Sequence, residues 1–216
     1  MPCLKLAAAK SAGLGIVVAS SLLKLPIFRN VFKAKSTVGL SPSSLFFETL
    51  AFIANGTQSF IMNHPFSTWG EVLIISLQNI ALFGLMGYFG NLKPFIVVAI
   101  ISALVAFLAA CLMVPPESAH LLVAFAAMVI LTSRLPQIIA NYQSKSTGVL
   151  SRITVALQLI GLIVRLLTVI VETGDKAKIT MNLMGLCLNG TIMLQILIYS
   201  ENTARLLDQA QVKKKG

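Results

Sequence analysis

Seven stretches of the chain are apolar enough and long enough to cross a bilayer, and little lies between them. They run over 11–32, 43–62, 69–89, 94–114, 120–142, 153–171 and 179–200. A spanning helix needs about 20 mainly apolar residues to bridge a hydrocarbon core about 30 Å thick. The separating positions are polar or are Pro and Gly, where a chain turns. No connection is long enough to house a soluble domain. The pattern predicts an all-α membrane protein of seven transmembrane helices, because only helices or closed barrels satisfy every backbone polar group in lipid.

The pattern also repeats. The segment from Lys24 to Ser41 aligns without gaps on the segment from Arg134 to Ser151. Leu25, Pro26, Lys35, Ser36, Thr37, Leu40 and Ser41 recur as Leu135, Pro136, Lys145, Ser146, Thr147, Leu150 and Ser151, each 110 residues on. The same offset carries Asn79, in the third run, onto Asn189, in the seventh. Two three-helix halves share one orientation only if a further crossing separates them, so a linker helix stands between two parallel repeats. The boundaries that follow are 1–92 for the first repeat, 93–115 for the linker, 116–202 for the second repeat and 203–216 for a basic tail. Lys5 and Lys10 ahead of the first run would suit a signal peptide. The end of that run belongs to the repeat, however, and it is read as the first helix.

Composition agrees: 56% of residues are hydrophobic and 11% charged, where a soluble domain carries about 25% charged. The net charge of +10 does not point to nucleic acid, because the basic residues sit in the connections between apolar runs, where membrane sidedness explains them. Lys33, Lys35, Lys93, Lys145, Arg152, Arg205 and Lys213 to Lys215 fall on one side. Lys5, Lys10, Glu117, Glu172, Asp175, Lys176 and Lys178 fall on the other. The first side is expected to be cytosolic, with the N-terminus lumenal and the C-terminus cytosolic. Lys213 and Lys214 then stand four and three places from the end, the spacing of a dilysine endoplasmic-reticulum retrieval signal; contact of a basic tail with anionic lipid is the plainer reading.

Several polar residues inside the runs are candidates for function. Pro26 and Pro136, at matched positions, are expected hinges, since proline removes a backbone hydrogen bond and kinks a helix. Asn79 and Asn189 either join helices through hydrogen bonds or face a shared cavity and bind sugar hydroxyls. Intramembrane charge is costly and seldom idle. Lys24, Arg134 and Arg165 are candidate phosphate ligands, with Glu48 nearby in the second run. The alternative is internal pairing, with Glu48 neutralising Arg165 or Arg134 and Lys24 reaching the surface. Gly13 and Gly15 fit helix packing, and Cys3, Cys111 and Cys187 fit small buried hydrophobes. The sequons at Asn55 and Asn189 lie within spans, beyond a glycosyltransferase's reach. There is no nucleophile beside a base, no paired catalytic carboxylates, no metal cluster and no cofactor motif, so nothing argues for an enzyme.

The repeated Leu-Pro-(Gln), Lys-Ser-Thr and Leu-Ser pattern resembles the PQ-loop membrane proteins, which are related to the SWEET sugar carriers. Within them the chain is similar to the branch serving mannose-phosphate-dolichol utilisation. That likeness rests on Pro2-Cys-Leu-Lys5, Gly13-Leu-Gly-Ile16, Lys24-Leu-Pro26, Ala34-Lys-Ser36, Gly39-Leu-Ser41, Glu172-Thr-Gly-Asp175 and Cys187-Leu-Asn-Gly190. Its most specific part is Pro65-Phe-Ser-Thr-Trp-Gly-Glu71. Ile27 stands where the pattern has glutamine, so only Pro136-Gln137 is intact, and Gln137 joins the expected hinge set. The resemblance implies an endoplasmic-reticulum protein that lets dolichol-phosphate-mannose and dolichol-phosphate-glucose serve as lumenal donors in glycosylation. If it moves the head group, Asn79 and Asn189 shelter the sugar while Arg165, Lys24 and Arg134 balance the phosphate. If it presents donors to lumenal glycosyltransferases, Trp69, Glu71, Glu172 and Asp175 form the contact surface, Trp69 serving equally as an interfacial anchor. A SWEET-like facilitative carrier of a free sugar or other small solute is the alternative, and SWEET relatives suggest self-association.

Overall fold

The computed structural model describes residues 2–37, 40–90, 92–147 and 152–203. Among these the chain is helical throughout: α1 (Pro2–Leu23), α2 (Leu25–Ala34), α3 (Pro42–Ile61), α4 (Gly70–Tyr88), α5 (Pro94–Leu112), α6 (His120–Ser144), α7 (Arg152–Glu172) and α8 (Lys176–Ile198), with short 3-10 turns at Phe66–Thr68 and Pro116–Ser118. Helices α1 and α2 together make one crossing, interrupted at Lys24. Lys213 and Lys214 lie outside the described residues.

Local signals set the helix ends. Pro42 and Pro94 occupy first turns, where a missing N–H costs nothing. Ser41 caps α3 by accepting from the Ser44 amide at 3.2 Å, and Asp175 caps α8 by accepting from the amides of Ala177 and Lys178 at 2.9 and 3.2 Å. The duplication is visible in the backbone itself. Lys35 and Lys145, matched in the repeat, both end their helices in the left-handed region, with φ of 48° and 50°.

Six of the crossings are long and apolar enough to span a membrane on length and composition alone. Helix α3 is not among them, since Glu48, Thr49, Asn55, Thr57, Gln58 and Ser59 dilute its apolar character. The fold resolves this by enclosure. Helix α3 packs against α4, α5 and α6, and Thr49, Thr57, Gln58 and Ser59 are all buried.

Six crossings close a ring, in the order α1, α4, α3, α6, α8, α7 and back to α1. Within each half the third helix lies between the first two. The halves meet where the first crossing of one packs on the second of the other. That is the arrangement a parallel duplication produces about a twofold axis normal to the membrane. Small side chains allow close approach at one of these seams, where Ala51 of α3 packs with Val123 and Ala126 of α6 and Met181 of α8. Helix α5 lies outside the ring on α3 and α4. Its outer face exposes Phe95, Val98 and Val105, suited to lipid.

The repeat is imperfect at its prolines. Pro26 lies in the first turn of α2, just past the break at Lys24, whereas Pro136 sits inside an unbroken α6. Of the two glycines expected to pack, Gly13 does so: a Cβ there would stand 2.5 Å from the Ser67 carbonyl oxygen. Gly15 faces open space.

Candidate functional site

The ring encloses a cavity of about 1090 Å³. Its walls come from α1, α3, α4, α6, α7 and α8, and no residue of α5 borders it. At one end it is open. There Glu48 is 41% exposed and stands with Ser44, Ser133, Arg134 and Gln158, on the side of the molecule that carries Lys35, Lys93 and Lys145. At the other end it is closed by Glu71 and Arg165, whose side chains are only 15% and 9% exposed. Asn55, Asn182 and Asn189 line the space between. Two of these amides, through Asn55 Oδ1 and Asn189 Oδ1, are buried without a hydrogen-bond partner among the described residues.

At the open end the duplication yields two unequal pairs. Lys24 Nζ donates to Glu48 Oε2 at 2.8 Å. At the matched positions, Arg134 Nη2 lies 3.5 Å from Gln158 Oε1, and Arg134 Nη1 lies 3.5 Å from Gln137 Oε1. The difference explains why the two asparagines part company. Asn79 is fully buried and off the cavity wall, its amide donating to Glu48 Oε2 at 3.1 Å and Thr49 Oγ1 at 2.9 Å. Asn189 has no carboxylate at the corresponding place. It stays on the wall, donating to the Gly185 carbonyl at 2.8 Å. The asparagines therefore do not face each other as a symmetric pair.

The closed end is a network of side chains drawn from five segments. Arg165 Nη1 donates to the Ser67 carbonyl at 2.7 Å, and its Nη2 lies 2.5 Å from Glu71 Oε2. Ser67 Oγ donates to Glu172 Oε2 at 2.5 Å. Lys178, almost wholly buried, donates to the Ser59 hydroxyl. Asp175 accepts from Gln58 Nε2 at 2.6 Å and lies 3.7 Å from His64 Nε2. Trp69 Nε1 donates to the His64 carbonyl at 3.1 Å, and its ring packs edge-on against Phe66. Burial holds the His64 imidazole below its ordinary pKa, the Lys178 charge pushes the same way, and Asp175 opposes both.

This geometry redistributes the expected roles. Glu71, Glu172 and Asp175 each lie against groups of the protein itself: Glu71 beside Arg165, Glu172 bonded to Ser67, and Asp175 to Gln58 and the α8 N-terminus. Arg165 lines the cavity at its closed end, where it stands beside Glu71 and bonds the Ser67 carbonyl. Lys24 pairs with Glu48 rather than reaching the surface. Asn55, Gln158, Lys178 and Asn182 were not anticipated. The offset of 110 residues does place Asn55 on Arg165 and Glu48 on Gln158, a signal sufficient to find two of them.

A family model described as PQ loop repeat matches the chain twice, over residues 8–68 and 119–177. The chain belongs to the PQ-loop repeat family. The two matches start 111 residues apart, within one residue of the internal offset. Each match takes in the first two crossings of a half and the turn leading into the third, so Glu48, Asn55, Arg134, Gln158 and Arg165 fall within them while Glu71, Lys178, Asn182 and Asn189 lie just beyond. The Pro-Gln pair of the second repeat, Pro136-Gln137, lies on α6 beside the open end; the first repeat has Pro26-Ile27 there. No solved structure matches the chain.

Proposed function

We propose that this PQ-loop protein serves the use of dolichol-phosphate-mannose and dolichol-phosphate-glucose in the endoplasmic-reticulum membrane, by taking the sugar-phosphate head group into its cavity and moving it. The reading takes the open, basic end as cytosolic and Lys213 and Lys214 as a retrieval signal. One observation supports it most: a cavity with ample room for a sugar-phosphate head group, open at one end, with the unpartnered amide oxygens of Asn55 and Asn189 on its wall. Buried acceptors without partners are costly, and sugar hydroxyls are donors that satisfy them. Moving the head group fits better than presenting it to lumenal enzymes, because the carboxylates expected to meet a partner are engaged internally. The polyisoprenoid tail stays in lipid, so two wall helices must part to pass the phosphate linkage.

The test is movement of a short-chain dolichol-phosphate-mannose analogue between leaflets of liposomes holding the purified protein. Movement above protein-free liposomes, reduced about tenfold in Asn189→Leu, is the expected result. The substitution removes an amide that meets the hydroxyls, worth about 1.4 kcal/mol at that ratio. Absence of movement by folded protein overturns it. Equal movement of free mannose favours the second reading, a SWEET-like carrier of small solutes, which the wall amides also suit.

A further inference from the structure

The matched pairs at the open end differ by one charge. Lys24 and Glu48 are a cation and an anion in contact at 2.8 Å. Their repeat counterparts, Arg134 and Gln158, are a cation and a neutral amide. The other cations on the wall are held more closely: Arg165 lies 2.5 Å from a carboxylate, Glu71 Oε2, and donates through Nη1 to the Ser67 carbonyl, though its Nε and Nη2 make no hydrogen bond, and Lys178 donates to the Ser59 hydroxyl. Glu48 is taken by Lys24 and Asn79. Among the described residues no carboxylate pairs with Arg134. Its two amide contacts, both at 3.5 Å, are at the outer limit of hydrogen bonding.

We infer that Arg134 and Gln158 form the anion-accepting site of the cavity, taking a phosphate group, and that Gln158 is its specificity-determining residue. A guanidinium presents a planar fork of donors that matches phosphate oxygens, and an uncompensated cation at a membrane protein's cavity is retained where a ligand supplies the opposite charge. Gln158 stands beside the guanidinium with its carbonyl oxygen toward it, and its NH₂ is a donor available to the ligand. A carboxylate there accepts only, and would complete an ion pair like that of the first half. One phosphodiester charge balances one arginine. The inference deepens the reading above and rests on it only for what is attached to the phosphate.

The experiment measures binding to purified protein in nanodiscs of three probes: a short-chain polyprenyl-phosphate-mannose, mannose 1-phosphate, and uncharged octyl mannoside. Wild type is expected to bind a phosphate-bearing probe at least about tenfold more tightly than the uncharged one. Gln158→Glu is expected to erase that preference, the melting midpoint being read alongside to show that the variant is folded. A carboxylate stands at the matched position of the first repeat, Glu48, paired with Lys24. Arg134→Gln removes the charge without adding one and must give the same loss, which covers a misfolded Gln158→Glu. Unchanged phosphate preference in the two variants overturns the inference, as does a wild type with no such preference. If mannose 1-phosphate binds as tightly as the lipid-linked probe and loses affinity with Gln158→Glu, the inference stands and the lipid-linked reading falls.

Discussion

Arg165 and Glu71 carry opposite charges into the closed end, and each depends on the other. Removing one partner of a buried pair strands the remaining charge, at a cost of about 3–5 kcal/mol, whereas replacing both by apolar side chains is often close to neutral. Arg165→Ala is therefore expected to lower the melting midpoint in detergent sharply, and Arg165→Met with Glu71→Leu to recover most of it. A phosphate ligand without this structural role would lose affinity and keep its melting temperature. His64 adds a pH dependence. Its folded-state pKa lies below the ordinary value of 6.5, from burial first and the Lys178 charge second, against the pull of Asp175. The unfolded chain takes up this proton first as pH falls, so the contribution is complete above about 6.5 and is lost below it. The melting midpoint should drop between about pH 7.5 and about pH 5.5, and His64→Asn should shrink that drop. Gly13 acts through space alone. A Cβ there meets the Ser67 carbonyl, the same oxygen that receives Arg165, so Gly13→Ala should also lower the midpoint.

At the scale of elements, the caps and breaks separate what repeats from what does not. Asp175 caps α8 and also ties it to α3 through Gln58. Asp175→Ala should cost about 0.5–2 kcal/mol from the cap alone, while Asp175→Asn should retain most of the cap; thermal melts of both variants check this. The prolines were read from the sequence as equivalent hinges, yet one starts a helix and the other interrupts none. In the turn before Pro136 side-chain hydroxyls fold back onto the backbone. Thr132 Oγ1 donates to the Met128 and Val129 carbonyls and Ser133 Oγ to the Ile130 carbonyl, at 2.8–3.0 Å. Pro136→Ala should raise stability by up to about 3 kcal/mol, by restoring a bond and relieving a clash. If Pro136 is the hinge proposed for it, the same variant slows head-group movement in the liposome assay. Nothing in residues 132–136 alone distinguishes these outcomes, because a local sequence does not report which neighbours support the turn.

For the whole molecule, the exposed side chains form an apolar exterior, including Phe95, Val105, Leu121, Leu157 and Leu194, and polar groups gather inside the ring. This is the inverse of a soluble protein, and it follows from lipid as the solvent. The proposed orientation makes a direct prediction. Single cysteines placed at Lys35, Lys93 and Lys145 should react with an impermeant maleimide from the cytosolic side of sealed microsomes. Cysteines at Asn63, Glu117 and Gly174 should react only after the membrane is opened. Reversal of that pattern overturns the assigned sidedness and with it the use of Lys213 and Lys214 as a cytosolic signal.

The crossings, their duplication and the segregation of loop charge were determined by the sequence alone, because each is a one-dimensional quantity: a run length, an offset, a count between runs. Helix α3 was legible as a crossing from the length of its run, but its composition alone falls short, and its place in the ring is what the packing supplies. Which charges are neutralised, and which remain for a ligand, only the tertiary structure decided. Gln58 meets Asp175 across 117 positions of chain, and Ser67 meets Arg165 across 98. Such meetings depend on how each helix is rotated about its axis and which neighbour it packs against. The sequence named Lys24, Arg134 and Arg165 as one set of cations. The fold divides them: Lys24 is held by Glu48 and Arg165 by Glu71, and Arg134 faces the cavity with an amide where its twin has an acid.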